Sequence, residues 1–213
     1  MSYQKNDGLI FVSQLDLQRL FRRIFMRAQV KLEYSKGFNP HPKMTYSPPV
    51  SMFISSACEY ADFETSGDED AADLKIRLSA VLPDGICINS VEKLDEGALP
   101  LPELLKWAEY EYKASAGADV TAEDIESEYE KCSLVHEKTN KKNKIVRRDL
   151  KEHTKNLQAE VKDGIIEIRA CHSMENNSMV NPRAFISLFF KNSQLLKDSS
   201  VISVRKTRAG SDI

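Results

Sequence analysis

Gly8-Leu9-Ile10-Phe11-Val12-Ser13-Gln14-Leu15-Asp16-Leu17-Gln18-Arg19-Leu20-Phe21-Arg22-Arg23-Ile24-Phe25-Met26-Arg27-Ala28 changes its periodicity partway along, and that change sets the fold. Gly8 to Val12 is a short apolar run rich in β-branched and aromatic residues, which predicts a strand. Ser13 stands three residues before Asp16, the S-x-x-D spacing of a helix start. Leu17, Leu20, Phe21, Ile24, Phe25 and Ala28 then recur at helical spacing and make one wide apolar stripe. Arg19, Arg22, Arg23 and Arg27 fall opposite it, within an arc of about 140° at 100° per residue. One side of this helix is built to pack on a sheet, and the other is a cationic ridge.

Further along, Lys43 to Ser47 predicts a second strand and Glu59 to Glu64 a third, alternating polar and apolar. Ala71, Leu74, Ile76, Leu78 and Val81 predict a helix closed by Pro83 and Gly85, and Ile86 to Val91 a last strand. The order is βαββαβ, the ferredoxin-like plan. Leu99-Pro100-Leu101-Pro102 reads as a linker, and the pattern begins again behind it. Ala108 to Ala116 predicts a strand, Thr121 to Cys132 a helix with an acidic outer face, and Leu157 to Val161 with Gly164 to Ala170 a pair of strands around an Asp-Gly turn. A helix starts at Asn181-Pro182, and Val201 to Val204 ends the set. The expected architecture is therefore α+β, with two tandem ferredoxin-like domains of antiparallel sheet at residues 1–98 and 104–213.

With 213 residues and a formal charge of −2, the chain looks electrically ordinary, but its charges are segregated. Residues 1–50 hold 8 Lys and Arg against 3 Asp and Glu, residues 51–130 hold 5 against 20, and residues 131–213 hold 17 against 9. Local charge, which governs association with anionic partners, is thus basic at both ends and acidic in the middle. No apolar stretch approaches the roughly 20 residues of a membrane span, and Met1 to Asp7 lacks a signal core, so a cytoplasmic protein with no membrane partner is expected. Cys58, Cys87, Cys132 and Cys171 lie far apart, which reads as scattered buried thiols. Phosphate loops, dinucleotide fingerprints and the common hydrolase motifs are absent.

The stretch Tyr34-Ser35-Lys36-Gly37-Phe38-Asn39-Pro40-His41-Pro42 is the sharpest local feature. Gly37 permits a tight turn, two prolines stiffen the backbone around His41, Phe38 is expected to anchor the loop, and Tyr34, Ser35 and Asn39 offer polar groups. Together with Lys36, Lys43 and the four arginines, these residues make a candidate RNA or ligand site. His41 is the weak candidate for a catalytic acid or base, or alternatively a base-stacking contact. Further basic elements are Lys138, Lys141, Lys142, Lys144, Arg147 and Arg148, and the tail Arg205, Lys206 and Arg208. His136, His153 and His172 are expected to be exposed bystanders.

Ser13-Gln14-Leu15-Asp16-Leu17, the Tyr34 to Pro42 string and Glu59-Tyr60 together resemble the radical SAM-linked protein family, small bacterial proteins found alone or fused behind a cobalamin-binding radical SAM enzyme. The resemblance covers roughly residues 8–64. Gln14 replaces the His usual between the Ser and Leu of the first motif. The resemblance implies a link to a separately encoded radical SAM protein and, through gene neighbourhoods with ribonuclease E/G and ribosomal proteins, to RNA. The chain has no cysteine triad for an iron–sulfur cluster, so no cofactor is expected in it, and no metal. Three functions follow as expectations: an RNA-binding accessory protein in tRNA or ribosome maturation, recognising substrate for a radical SAM enzyme; a metal-independent endoribonuclease similar in plan to CRISPR repeat-processing nucleases; or a protein adaptor without RNA affinity, docking through acidic residues 103–130. The first, which makes the chain no enzyme on its own, leads.

Overall fold

The computed structural model describes every residue except 96, 118, 119, 140–142 and 144. It is a mixed α+β structure of antiparallel strands and five helices, divided into two compact units, Met1–Leu105 and Lys106–Ile213. The first unit runs β1 (Ser2–Lys5), α1 (Gln14–Arg27), β2 (Met44–Tyr46), β3 (Ser55–Phe63), α2 (Ala71–Ser79), β4 (Ile86–Ser90) and the single turn α3 (Leu101–Leu104). Its strands lie in the order β4-β1-β3-β2, every neighbour antiparallel. Two expectations fail here. Gly8 to Val12 is not a strand: Asp7–Phe11 forms a 3-10 turn, and the first strand is Ser2–Lys5. The Leu99 to Pro102 linker is partly helical, and the unit boundary falls after Leu105.

Helix α1 begins as its sequence requires. Ser13 is the N-cap, its Oγ accepting from the Asp16 amide at 3.2 Å while its hydroxyl donates to the Asp16 carboxylate at 2.7 Å. Its end is set by Gln29, at φ +56°, with the Val30 amide donating to Phe25 O and the Gln29 amide to Met26 O. This is the left-handed stop that glycine usually provides. Leu17, Phe21, Ile24 and Phe25 are buried against Tyr3, Ala61, Ile86 and Ile88, with Tyr3 and Phe21 edge to face at 4.8 Å. Each such side chain stabilises the unit by about 1.5–3 kcal/mol. Gly85 holds φ +89°, and a Cβ there would sit 2.7 Å from the Asn6 carbonyl oxygen, so only glycine lets β4 start beside β1.

The second unit runs β5 (Trp107–Ser115), α4 (Ala122–Lys131), β6 (Val135–Thr139), β7 (Ile145–Asp149), β8 (Thr154–Lys162), β9 (Ile165–Ser173), α5 (Pro182–Asn192) and β10 (Val201–Gly210). Its main sheet has the order β10-β5-β9-β8, again antiparallel throughout. β6 and β7 form a separate hairpin inserted between α4 and β8. That insertion accounts for the basic run, of which Lys141, Lys142 and Lys144 lie outside the described residues.

The acidic face of α4 is partly consumed by folding. Asp124 closes a capping box with Thr121, Glu126 accepts from the Ala159 amide at 3.0 Å, and Glu128 accepts from the Gln194 amide at 2.8 Å and from Ser193 Oγ at 3.1 Å. His172 is no bystander. It is wholly buried, with Tyr112 Oη 2.5 Å from Nε2, Thr154 Oγ1 2.9 Å from Nδ1, and the Phe185 ring centred 4.5 Å away. Thr154 donates its own hydroxyl proton to Leu150 O at 2.8 Å, so its oxygen accepts from Nδ1–H, and Nε2 accepts from the Tyr112 hydroxyl. Burial depresses the His172 pKa to about 3, which keeps the ring neutral. His136 and His153 are half-buried, and Cys87 is exposed while the other three cysteines are buried.

Candidate nucleic-acid interface

The candidate site belongs to the first unit and starts from the way the chain leaves α1. After Gln29, the segment runs beside the end of β3, with the Glu33 amide donating to Glu64 O at 2.8 Å and the Lys43 amide to Glu33 O at 2.8 Å. Tyr34 pairs with Pro42 as an antiparallel bridge. Ser35 then closes the loop twice: its amide donates to His41 O at 2.8 Å, and its Oγ accepts from the His41 amide at 3.0 Å. Lys36 to Pro40 is therefore a fastened tip, and Gly37 takes the positive φ of +131° that turns it. Phe38 does not anchor this loop. Its ring is fully exposed at the tip, beside exposed Lys36 and Asn39.

All four arginines of α1 are solvent-exposed. Arg19 is tied to Asp16 at 2.9 Å, and this contact, with the Ser13 hydroxyl as the larger influence, lowers the Asp16 pKa. Among the described residues no carboxylate pairs with Arg22, Arg23 or Arg27. Exposed Leu15 and Met26 sit among them, so the ridge alternates guanidinium and apolar groups.

The loop folds back to leave a recess of about 210 Å³ against the C-terminal half of α1. Phe25, Val30 and Leu32 lie at its apolar side, and Arg22, Met26, Tyr34, Pro40, His41 and Pro42 complete it. The structure thus brings Arg22, Tyr34 and His41, residues up to 19 positions apart, to the lining of one concavity.

Lys43 stands elsewhere. A second concavity of about 600 Å³, bordered by Ser35, His41 and Lys43, is lined by six carboxylates, Asp62, Glu64, Asp68, Glu69, Glu92 and Asp95. Lys43 Nζ donates to Glu64 at 2.5 Å, which raises the lysine pKa. Burial raises the Asp62 pKa, partly offset by the N-terminal amine. His41 borders both concavities, so the loop is a partition with a cationic side and an anionic side. No group of three or more metal-ligating side chains occurs among the described residues.

Sequence reasoning passed over Glu59. It is buried in β3 and accepts from Ser56 Oγ at 2.7 Å and Ser47 Oγ at 3.3 Å, while Ser47 Oγ also accepts from the Tyr60 amide at 3.2 Å. Neighbouring Lys5 is buried as well, its Nζ donating to Val12 O at 3.2 Å. Burial lowers the Lys5 pKa against the opposing pull of Glu59. The one signal for this cluster was Glu59-Tyr60 within the family-like motif. The basic C-terminal tail is also broken up: Lys206 is fully buried and Arg208 pairs with Glu109 at 2.6 Å, leaving Arg205 exposed.

Such a chain is an antiparallel α+β protein in which a fastened polar-aromatic loop faces an arginine-bearing helix. It belongs to the family described as "Uncharacterized protein conserved in bacteria (DUF2344)", which matches residues 1–182. No curated protein matches the sequence. Among solved structures it is similar to a chain of "Crystal Structure of a Cbf5-Nop10-Gar1 Complex", with a TM-score of 0.48 and 10% identity, over 98% of this chain and 48% of that one. The chain therefore spans about half the length of that neighbour. Among the described residues no helix is long and apolar enough to cross a membrane.

Proposed function

We propose that the chain is an RNA-binding protein whose contact surface is the first unit's α1 ridge and Tyr34 to Pro42 loop. The observation that carries this reading is the recess that joins Arg22, Tyr34 and His41, on a loop whose tip holds the exposed ring of Phe38. Guanidinium groups neutralise phosphates, and exposed rings on a rigid support stack on unpaired bases. The unit order βαββαβ with strand order β4-β1-β3-β2, repeated in the second unit once its hairpin is set aside, supports a tandem ferredoxin-like plan. The resemblance of the Tyr34 to Pro42 string supports a narrower role: substrate recognition for a separately encoded radical SAM enzyme in tRNA or ribosome maturation.

Mobility shift with total cellular RNA, in EDTA and across a salt series, tests the reading. Wild type is expected to bind at low salt with affinity falling steeply as salt rises. Replacing Arg22, Arg23 and Arg27 together by Ala should lower the slope of log affinity against log salt by about 2. Absence of any complex at low salt refutes RNA binding, and RNA shortened in EDTA by wild type but not by His41→Ala turns the assignment to a nuclease.

A further inference from the structure

We infer that the α1-loop recess receives one unpaired base, so that the protein selects single-stranded over double-stranded RNA; this rests on the RNA-binding reading above. Size is the first argument. A cavity of about 150 Å³ holds one benzene ring, and pockets for drug-sized ligands start at about 300 Å³. At about 210 Å³ the recess suits a one- or two-ring heterocycle and is too small for a whole nucleotide. Its chemistry is the second argument. Met26, Pro40 and Pro42 give apolar surface, Tyr34 and His41 give rings, and Arg22 gives a fork of donors for the carbonyl and ring-nitrogen acceptors of a base edge.

The setting of the recess fits a nucleotide strand as well. Arg23 and Arg27 directly follow the recess residues Arg22 and Met26 on the exposed surface of α1 and can meet the phosphates flanking an inserted base, whereas the other concavity sets six carboxylates against Lys43 and Lys93, an acidic balance that disfavours a phosphate backbone. A strand is thus favoured on the helix side. The loop walls are fastened by the two Ser35 to His41 hydrogen bonds, so the recess exists before RNA arrives and little ordering is needed on binding. A base in a duplex must first be unstacked and unpaired to enter, at a cost a free strand does not bear.

The test is fluorescence anisotropy with the full chain and a 12-nucleotide RNA carrying a central 2-aminopurine, used free or annealed to its complement at one low salt concentration. Single strand is expected to bind at least about tenfold tighter than duplex, with a change in 2-aminopurine emission. Tyr34→Ala should weaken single-strand binding roughly 5- to 150-fold and leave duplex binding unchanged, while Tyr34→Phe, which keeps the ring, stays within about twofold of wild type. Arg23→Ala should weaken both. Equal binding of the two RNAs, or single-strand binding indifferent to Tyr34→Ala but sensitive to Arg23→Ala, overturns the base recess and leaves RNA binding standing. Failure to bind either RNA overturns both. Unchanged circular dichroism of each variant establishes that the fold is intact, as expected for an exposed side chain.

Discussion

In the first unit, Arg22, Arg23 and Arg27 stand in solvent beside exposed Leu15, Met26, Tyr34 and Phe38. In the second, the charges on the open face of β5 and β9 are spent on one another: Lys113 lies 3.2 Å from Glu167, Arg169 2.5 Å from Glu167, and Arg208 2.6 Å from Glu109. The second unit's aromatic residues turn inward instead, Tyr112 and Phe185 being fully buried around His172 and Phe189 fully buried against Phe185. The same order of strands and helices therefore carries two economies of polar groups. One leaves three guanidinium groups and two rings exposed at its surface, where a ligand can use them, and the other pairs the charges along these strands and buries its rings around a hydrogen-bonded histidine, where they specify the fold.

The contrast is easiest to break at His172. His172→Ala empties a packed site and leaves the Tyr112 hydroxyl without its acceptor, so a loss of about 3–5 kcal/mol is expected by urea denaturation. The same residue gives the second unit a pH dependence. Its folded pKa of about 3 lies below the ordinary 6.5, so the unfolded chain takes up the proton first as pH falls. The stability from neutral His172 is complete above pH 6.5 and is lost at about 1.4 kcal/mol per pH unit from there down to about pH 3. His172→Gln should remove that slope from a pH series of melts; an unchanged slope shows that other groups cause it.

In the first unit the largest expected loss comes from backbone. Gly85→Ala forces a positive φ and a 2.7 Å approach to Asn6 O, at a cost of about 2–3 kcal/mol in the same assay. Phe38→Ala should shift stability by less than about 0.5 kcal/mol, since the ring touches solvent, yet weaken RNA binding. Equal affinity of wild type and Phe38→Ala in mobility shifts would remove the loop tip from the interface. Smallest of all, Lys43→Ala should leave RNA affinity unchanged, because Lys43 is already committed to Glu64 on the acidic side of the loop. A tenfold loss there would show that the two concavities act as one.

Part of this contrast is written in the chain. The arginine ridge follows from 3.6-residue periodicity alone, and the structure places all four arginines in solvent. The inward face of β9 was legible too, since Ile166, Ile168, Ala170 and His172 share one parity; ending the strand at Ala170 hid the histidine. Ser2–Lys5 was unreadable as a strand because its second inward residue is a buried lysine, held by Val12 O, which no hydrophobicity pattern marks. Apolar Gly8 to Val12 took its place, although Phe11 ends up exposed.

By itself the sequence determined the local things: the helix start at Ser13, the stripe that buries Phe21 and Phe25, the stiff loop between prolines, and the alternation of strands and helices. These depend on neighbours within a few residues, where spacing and geometry coincide. Only the tertiary structure decided that Arg22 and His41 share a recess while Lys43, two residues from His41, faces Glu64 instead. Which partner a charge meets is fixed by chain segments about 20 residues apart, and sequence spacing carries no information about that distance until the sheet brings them together.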